Sequence, residues 1–305
     1  MKYIFFGTPE FAAIVLEKLI NAGYIPEVVI CNPDEPVGRK QILTPPPTKI
    51  LAEKYGINTL QPEILANYKL QITNYKPDLA IIAAYGKILP KEILEIPVHG
   101  FINVHGSLLP YYRGASPIQY AILDGDKETG VTIMKIDEKM DHGPIIAKSE
   151  LPIAESETYE SLSKKLADLG AKLLIKIILD YVSEKIKPIE QDHSKATYTK
   201  IIKKEDGRID WSKSAGEIER MTRAFHFWPT AWTLWNGKVL KILEGQVLTG
   251  GAKKIGEIFL AGGNLAIKCG KDALIIKKLQ LEGGKILMAK EFLNGHKDFI
   301  SSVLK

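Results

Sequence analysis

Residues 101–126 read FINVHGSLLPYYRGASPIQYAILDGD, and the rest of the chain is organised around this stretch. Its first five residues, Phe101–His105, are mostly apolar and predict a buried β-strand, which glycine and polar residues follow at once. Alternate residues of a strand share one face. We therefore expect Asn103 and His105 to lie side by side near the carboxyl end of the strand. An amide that can donate a hydrogen bond would then neighbour an imidazole that can hold or release a proton near neutral pH.

The sequence on either side of this strand alternates between strand and helix patterns. The predicted strands are Lys2–Phe6, Glu27–Cys31, Asn58–Leu60, Leu79–Ala83, Phe101–Val104 and Thr129–Ile136. Apolar residues at helical spacing lie between them, and a long helix is predicted over Tyr159–Val182. Strands separated by helices are typical of a mostly parallel sheet with helices on both faces. We expect this α/β domain to occupy residues 1–187.

The last third of the chain has a different pattern. Residues 188–206 are polar and without a period, which predicts a linker, and a short amphipathic helix is predicted over Ser214–Phe225. Asn236-Gly237 between alternating residues indicates a β-hairpin. Further short strands separated by glycines predict a small β-barrel, such as an OB-like fold, over residues 207–305.

The positive charge of the chain is concentrated in that last third. The net charge is +5, but residues 1–205 hold 25 Lys+Arg against 26 Asp+Glu, whereas residues 206–305 hold 16 against 10. A basic region indicates a polyanionic partner, most often nucleic acid; the alternative is a lysine-rich surface that serves solubility. Five aromatic residues within residues 225–235 could stack on bases, but such clusters more often form the core of a small barrel.

The loop from Asn32 to Lys49 contains five prolines and the Arg39-Lys40 pair, so we expect it to lack regular structure. It is either a surface excursion with two solvated charges or an arm that contacts a phosphate backbone.

Several classes of protein are disfavoured by the sequence. The longest apolar run, Leu79–Tyr85, has seven residues, whereas a membrane span needs about 20. The first residues predict a strand and not a secretory signal. Two distant cysteines, Cys31 and Cys269, favour a reducing cytoplasm and offer no metal site. The glycine pattern of a dinucleotide-binding turn is missing after the first strand, where Pro9 stands.

Asp141 follows the strand Thr129–Ile136 in a polar turn, where an aspartate is ordinarily a turn residue. Its place after a strand favours a role in ligand binding, because ligands of open α/β sheets bind at the carboxyl ends of strands. Together with Asn103 and His105, it would supply what acyl transfer to an amine requires. The carboxylate orients the imidazole, the imidazole takes the proton of the amine, and the amide stabilises the oxyanion.

These residues resemble those of the 10-formyltetrahydrofolate-dependent formyltransferases. The resemblance rests on Asn103-x-His105, Gly106–Pro110, Arg113-Gly114, Pro117–Gln119 and Asp141-x-Gly143, and also on FGTPEFA at residues 6–12, the Asn32-Pro-Asp…Gly38-Arg39 loop and RAFHFWPTAWT at residues 223–233. From end to end the chain is similar to the members that formylate methionine on initiator tRNA. Members that act on amino sugars or nucleotides share the first part only. A non-catalytic RNA-binding protein is a further alternative, which leaves the three polar residues unexplained.

The resemblance implies a Rossmann-like N-terminal domain followed by a C-terminal OB-like β-barrel. It also implies the use of 10-formyltetrahydrofolate as formyl donor and of initiator methionyl-tRNA as acceptor, by a cytoplasmic monomer without a metal. The implied residues are Asn103, His105 and Asp141 for catalysis, Ser107, Leu108, Leu109 and Pro110 for the folate pocket, and Arg39 with Lys40 for the tRNA acceptor arm. Two features are unusual for the family: Gln41-Ile42 where further lysines are common, and His142 beside Asp141.

Overall fold

The computed structural model describes residues 1–38, 40–300 and 302–304, which form two compact units. Unit 1 comprises residues 1–117, 128–152 and 163–199, and unit 2 comprises residues 118–127, 153–162 and 200–305. The division into residues 1–187, a linker over 188–206 and residues 207–305 stays a prediction.

Unit 1 is built on a seven-stranded sheet. The strands of unit 1, in chain order, are β1 (Tyr3–Gly7), β2 (Val28–Ile30), β3 (Glu35–Val37), β4 (Ile42–Thr44), β5 (Thr59–Leu60), β6 (Leu79–Ala83), β7 (Phe101–His105), β8 (Arg113–Gly114), β9 (Glu128–Lys135), β10 (Ile145–Pro152) and β11 (Tyr198–Thr199). The order across the large sheet is β10-β9-β7-β6-β1-β2-β5. The strands from β7 to β5 pair in parallel, whereas β9 runs antiparallel to both of its neighbours. The mostly parallel, Rossmann-like sheet expected from the sequence is confirmed.

The central strands are apolar throughout because both faces of the sheet are covered. Every residue of β1 and β6 is buried. The helices that begin in the first two-thirds of the chain are α1 (Glu10–Asn21), α2 (Pro47–Lys54), α3 (Lys69–Asn74), α4 (Lys91–Leu94), α5 (Pro117–Asp124) and α6 (Tyr159–Val182). Helix α6 has the bounds that its apolar spacing predicts. Gly170 lets this helix approach the sheet closely, since a Cβ there would lie 2.6 Å from a methyl carbon of Val104.

The expectation that residues 32–49 lack regular structure is wrong. Strands β3 and β4 pair antiparallel in this segment, and α2 begins at Pro47. Left-handed backbone at Gly38 and Gln41 allows the chain to turn between the two strands. Proline at the first position of a helix is favourable, because its missing N–H has no partner to lose there. Lys40 is exposed near this turn, and Arg39 lies outside the described residues.

Unit 2 contains an antiparallel sheet with the strand order β12-β13-β16-β15-β14, to which β17 adds by pairing with β16. Its elements are α7 (Ala215–Ala224), β12 (Ala231–Trp235), β13 (Lys238–Leu248), β14 (Ile258–Ala261), β15 (Asn264–Lys268), β16 (Ala273–Leu281), β17 (Leu287–Met288) and α8 (Ala289–Gly295). Asn236 and Gly237 both have positive φ and form the predicted hairpin turn between β12 and β13. This sheet is the small C-terminal β-barrel expected from the sequence.

Helix α7 begins as its sequence predicts. The Ser214 hydroxyl accepts a hydrogen bond from the Glu217 backbone N–H, and the Glu217 carboxylate accepts one from the Ser214 backbone N–H. Over the described ranges, none of the helices of either unit is both long and apolar enough to cross a membrane.

Candidate active site

Asn103 and His105 lie at the carboxyl end of β7, between the parallel strand β6 and the antiparallel strand β9. His105 is buried and Asn103 is half-buried. The two-residue spacing on a strand puts both side chains on the same face of the sheet. The strand therefore brings the amide and the imidazole together, as the sequence predicts.

The partners of the His105 ring determine its tautomer. Nε2 lies 3.0 Å from the backbone carbonyl oxygen of Tyr112, which can only accept, so Nε2 carries the hydrogen and donates it. In the neutral ring, Nδ1 is then an acceptor. It lies 3.6 Å from Oδ1 of Asp141. Two acceptors thus face each other, and no hydrogen bond joins them because neither carries a hydrogen. A donor group that lies beside Nδ1 and Oδ1 could donate a hydrogen bond to either atom.

Asp141 lies in the connection from β9 to β10, and its backbone has a left-handed conformation with φ of 47°. Its other carboxylate oxygen, Oδ2, accepts a hydrogen bond of 2.7 Å from the backbone N–H of Gly114. The segment from Tyr112 to Gly114 therefore holds both partners: the carbonyl of Tyr112 accepts from His105, and the N–H of Gly114 donates to Asp141. His105 and Asp141 therefore meet as predicted, and the residues that fix these two come from the intervening turn.

The turn Ser107–Pro110 is anchored from β9. The Thr132 hydroxyl donates to the carbonyl of Ser107 over 2.7 Å and accepts from the backbone N–H of Leu109 over 3.0 Å. Ser107, Leu109 and Pro110 are buried, so Leu108 is the residue of these four that is partly accessible. The turn thus presents one apolar side chain while its backbone is held in place.

Lys148 of β10 also reaches this turn, since its ammonium group donates a hydrogen bond to the carbonyl of Leu109. Desolvation by burial lowers the pKa of Lys148. Sequence reasoning missed both Thr132 and Lys148. The strand spacing around Thr132 was visible in the sequence, but its pairing with His105 across the ladder was not.

His142, beside Asp141 in the sequence, pairs with Asp137 and His193. Its Nδ1 lies 2.7 Å from Oδ2 of Asp137, and its ring stacks on that of His193, with centroids 4.0 Å apart and planes 9° apart. His142 therefore has partners of its own, although it is adjacent to Asp141 in the sequence.

In unit 2, the aromatic cluster of residues 225–235 divides into two sets. Phe225 and Trp235 are buried, in agreement with a role in the core, whereas Phe227 and Trp228 are 66% and 59% exposed. In the part of the chain that the structure covers, no group of three or more His, Cys, Asp or Glu side chains could hold a metal ion.

The mostly parallel, Rossmann-like sheet carries an amide and an imidazole at the end of β7, and the connection from β9 to β10 brings a carboxylate to that imidazole. These are the groups that acyl transfer to an amine requires. The family model described as "Formyl transferase" matches residues 1–178, and that described as "Formyl transferase, C-terminal domain" matches residues 201–297. The chain belongs to the formyl transferase family.

Relatives and solved structures agree with this family. The chain is 43% identical to "Methionyl-tRNA formyltransferase" of Caldicellulosiruptor saccharolyticus over 97% of each chain, and 44% identical to the protein of that name from Halalkalibacterium halodurans, over 97% of this chain and 95% of that one. The crystal structure of an N-formyltransferase from Helicobacter canadensis, in complex with folinic acid and dTDP-3-aminofucose, has a TM-score of 0.66 at 21% identity, covering 90% of this chain and 99% of that one.

HypX of Aquifex aeolicus in complex with tetrahydrofolic acid also has a TM-score of 0.66, at 16% identity. The match covers 98% of this chain and 48% of HypX, so the chain spans about half the length of that protein. At these identities, the two structures show the fold alone.

Proposed function

We propose that this protein transfers the formyl group of 10-formyltetrahydrofolate to the α-amino group of methionine esterified to initiator tRNA. The observation that carries the proposal is the pair of acceptors Nδ1 of His105 and Oδ1 of Asp141, 3.6 Å apart, with Asn103 two residues before His105 on the same strand. An amine is a donor that can hydrogen-bond to both of these acceptors. The near full-length similarity to proteins named methionyl-tRNA formyltransferase supports tRNA as its carrier.

The three side chains have distinct roles in the proposed reaction. The amine nitrogen attacks the formyl carbon, and His105 takes the proton that the nitrogen loses, while the Asp141 carboxylate stabilises the imidazolium that forms. Asn103 donates a hydrogen bond to the formyl oxygen as it becomes an oxyanion. When the bond from the formyl carbon to N10 breaks, the proton held on His105 goes to N10. Atoms and charge balance without a metal or a redox step.

Substrate binding is divided between the two parts of the protein. The turn Ser107–Pro110 borders the folate pocket, with Leu108 as its accessible apolar contact and the other three residues as its anchored frame. Arg39 and Lys40 contact the acceptor arm of tRNA. The basic last third of the chain adds contacts to tRNA phosphates that do not depend on sequence. The protein acts as a monomer in the cytoplasm.

Replacement of the catalytic side chains tests the assignment. We expect Asn103→Ala and His105→Ala each to reduce kcat by at least about 10²-fold with methionyl-tRNA and 10-formyltetrahydrofolate. His142→Ala is the matched control, because its ring contacts Asp137 and His193 instead, and it should keep kcat within about 3-fold of wild type. Turnover close to wild type in either of the first two variants, with the same circular dichroism spectrum, would refute their roles.

A comparison of acceptors tests the substrate. Charged initiator tRNA and a nucleotide-linked amino sugar are each incubated with the protein and 10-formyltetrahydrofolate, and formylated product is measured by mass spectrometry. We expect formyl-methionine and no formylated sugar. Formylation of the sugar alone would place the chain with the sugar-modifying members of the family.

A further inference from the structure

A buried glutamine from the segment predicted as a linker contacts the loop that carries Asp141. Gln191 is 5% exposed. Its Nε2 donates to two backbone carbonyls, that of Asp141 over 2.9 Å and that of Gly143 over 2.7 Å. Its Oε1 accepts two hydrogen bonds from Arg113, over 3.2 Å from Nε and 2.7 Å from the terminal nitrogen Nη2. All four hydrogen-bonding positions of the amide are therefore used, and its orientation is fixed.

Arg113 is 1% exposed, although it carries a full charge. Besides Gln191, its guanidinium donates to Nδ1 of His193 over 2.8 Å, and it lies 3.4 Å from the hydroxyl of Tyr198. None of these partners, within the described residues, is a carboxylate. A buried guanidinium must donate its N–H groups to hydrogen-bond acceptors, and the Gln191 oxygen accepts two of these hydrogen bonds. The buried charge thus fixes the amide from one side.

The carbonyls on the other side belong to a loop whose shape needs support. Asp141 has a left-handed backbone, which is unfavourable for a residue other than glycine. Gly143 packs so closely that a Cβ would lie 2.0 Å from the carbonyl oxygen of Lys135. The two donors of Gln191 connect residues 141 and 143 and hold the loop between them. The side chain of Asp141 is in turn held by the N–H of Gly114, the neighbour of Arg113.

We propose that Gln191 is a positioning residue, which, with Arg113, sets the place of Asp141 relative to His105. The inference rests on the proposed function, because it assigns Asp141 a part in the transfer. The hydrogen bonds that Gln191 donates to the loop go to backbone carbonyls, so it acts on the reaction through the position of Asp141. The loss of its two donors lets the loop relax and moves the carboxylate away from Nδ1. A misplacement of about 1 Å in an active site can cost 10²-fold in rate.

Two substitutions separate the hydrogen bonds that Gln191 donates to the loop from those that it accepts from Arg113. Gln191→Met keeps the volume and removes all four hydrogen bonds, whereas Gln191→Glu keeps acceptors for Arg113 and loses both donors to the loop. We expect each to lower kcat by about 10- to 100-fold, with the KM values for folate and tRNA within about 2-fold of wild type. Gln280→Met is the control, since it removes a single glutamine–carbonyl bond in unit 2, and it should leave kcat unchanged. A wild-type kcat in Gln191→Glu would overturn the proposal.

A double-mutant cycle tests whether the effect passes through Asp141. In an Asp141→Asn background, Gln191→Met should cost less than about 2-fold further in kcat, because the group that it positions is already altered. If the fold-losses in kcat of the two single variants multiply in the double variant, Gln191 and Asp141 act independently, and their coupling is refuted. Amide hydrogen exchange gives a readout without turnover: the N–H of Gly114, which donates to the Asp141 carboxylate, should be protected in the wild-type protein, and Gln191→Met should lose that protection. If wild type fails to formylate methionyl-tRNA, the proposed function fails, while the exchange experiment still decides the positioning role.

Discussion

The Thr132 hydroxyl is the main anchor of the turn Ser107–Pro110, and its removal should be costly. Thr132→Val keeps the shape of the side chain but leaves the buried N–H of Leu109 and the carbonyl of Ser107 without this partner. Each unsatisfied buried group costs about 1–3 kcal/mol. We therefore expect a loss of roughly 2–6 kcal/mol in the free energy of unfolding, measured by urea denaturation. The KM for 10-formyltetrahydrofolate should rise with it, because the turn borders the proposed folate pocket.

The same strand supplies a matched control for this substitution. Thr129 is also buried in β9, but its hydroxyl has no hydrogen-bond partner among the residues that the structure describes. Thr129→Val removes a buried hydroxyl whose lost hydration no hydrogen bond offsets. The free energy of unfolding should therefore stay unchanged or rise. If Thr132→Val were no more destabilising than Thr129→Val, the anchoring of the turn by hydrogen bonds would be refuted.

Three other predictions concern separate parts of the chain. Lys40→Ala should raise the KM for tRNA by a few-fold and leave the KM for folate unchanged, in steady-state assays at two salt concentrations, because one phosphate contact is lost. Hydrogen bonds from Lys172 and Lys18 lower the pKa of Asp168 below its ordinary value of 3.8, so Asp168→Asn should destabilise the protein at neutral pH and lose this effect as the pH falls through the lowered pKa, in unfolding experiments across pH. Burial raises the pKa of Cys31 to about 11, so this thiol should resist iodoacetamide at pH 8 unless the protein is unfolded, as peptide mapping would show.

Local patterns predicted much of the fold. The apolar runs at β1, β6 and β7 correspond to buried strands, and the helical spacing gave the bounds of α6, because in these elements burial follows directly from residue type. The hairpin turn at Asn236-Gly237 was also predictable, since few residues adopt its left-handed backbone. The hairpin β3–β4 was missed because its proline and glycine content disfavours strands, and pairing overrode that preference.

The site was predictable in its chemistry but not in its supports. Asn103 and His105 follow from strand alternation. The approach of Asp141 to His105 does not follow from its place after β9, because β9 is antiparallel to β7 and its last residue, Lys135, pairs with Ile102 near the amino end of β7. The partners that hold them are distant in sequence: Gly114 is 27 positions from Asp141, and Gln191 is 50 positions from it. No local period or motif connects such positions, because they meet only when the turn after β7 and the chain after α6 fold against one loop. The polar composition around Gln191 indicated a linker, yet its side chain is buried.

A single-turnover measurement of formyl transfer to charged initiator tRNA tests the proposed reaction and the role of His105 together. Purified protein is mixed with 10-formyltetrahydrofolate and methionyl-tRNA, and formyl-methionine released from the tRNA is quantified over time. We expect rapid formation of formyl-methionine by wild type, and a rate at least about 10²-fold lower for His105→Ala. No formyl-methionine from the folded wild-type protein, or equal rates for the two proteins, would contradict this expectation.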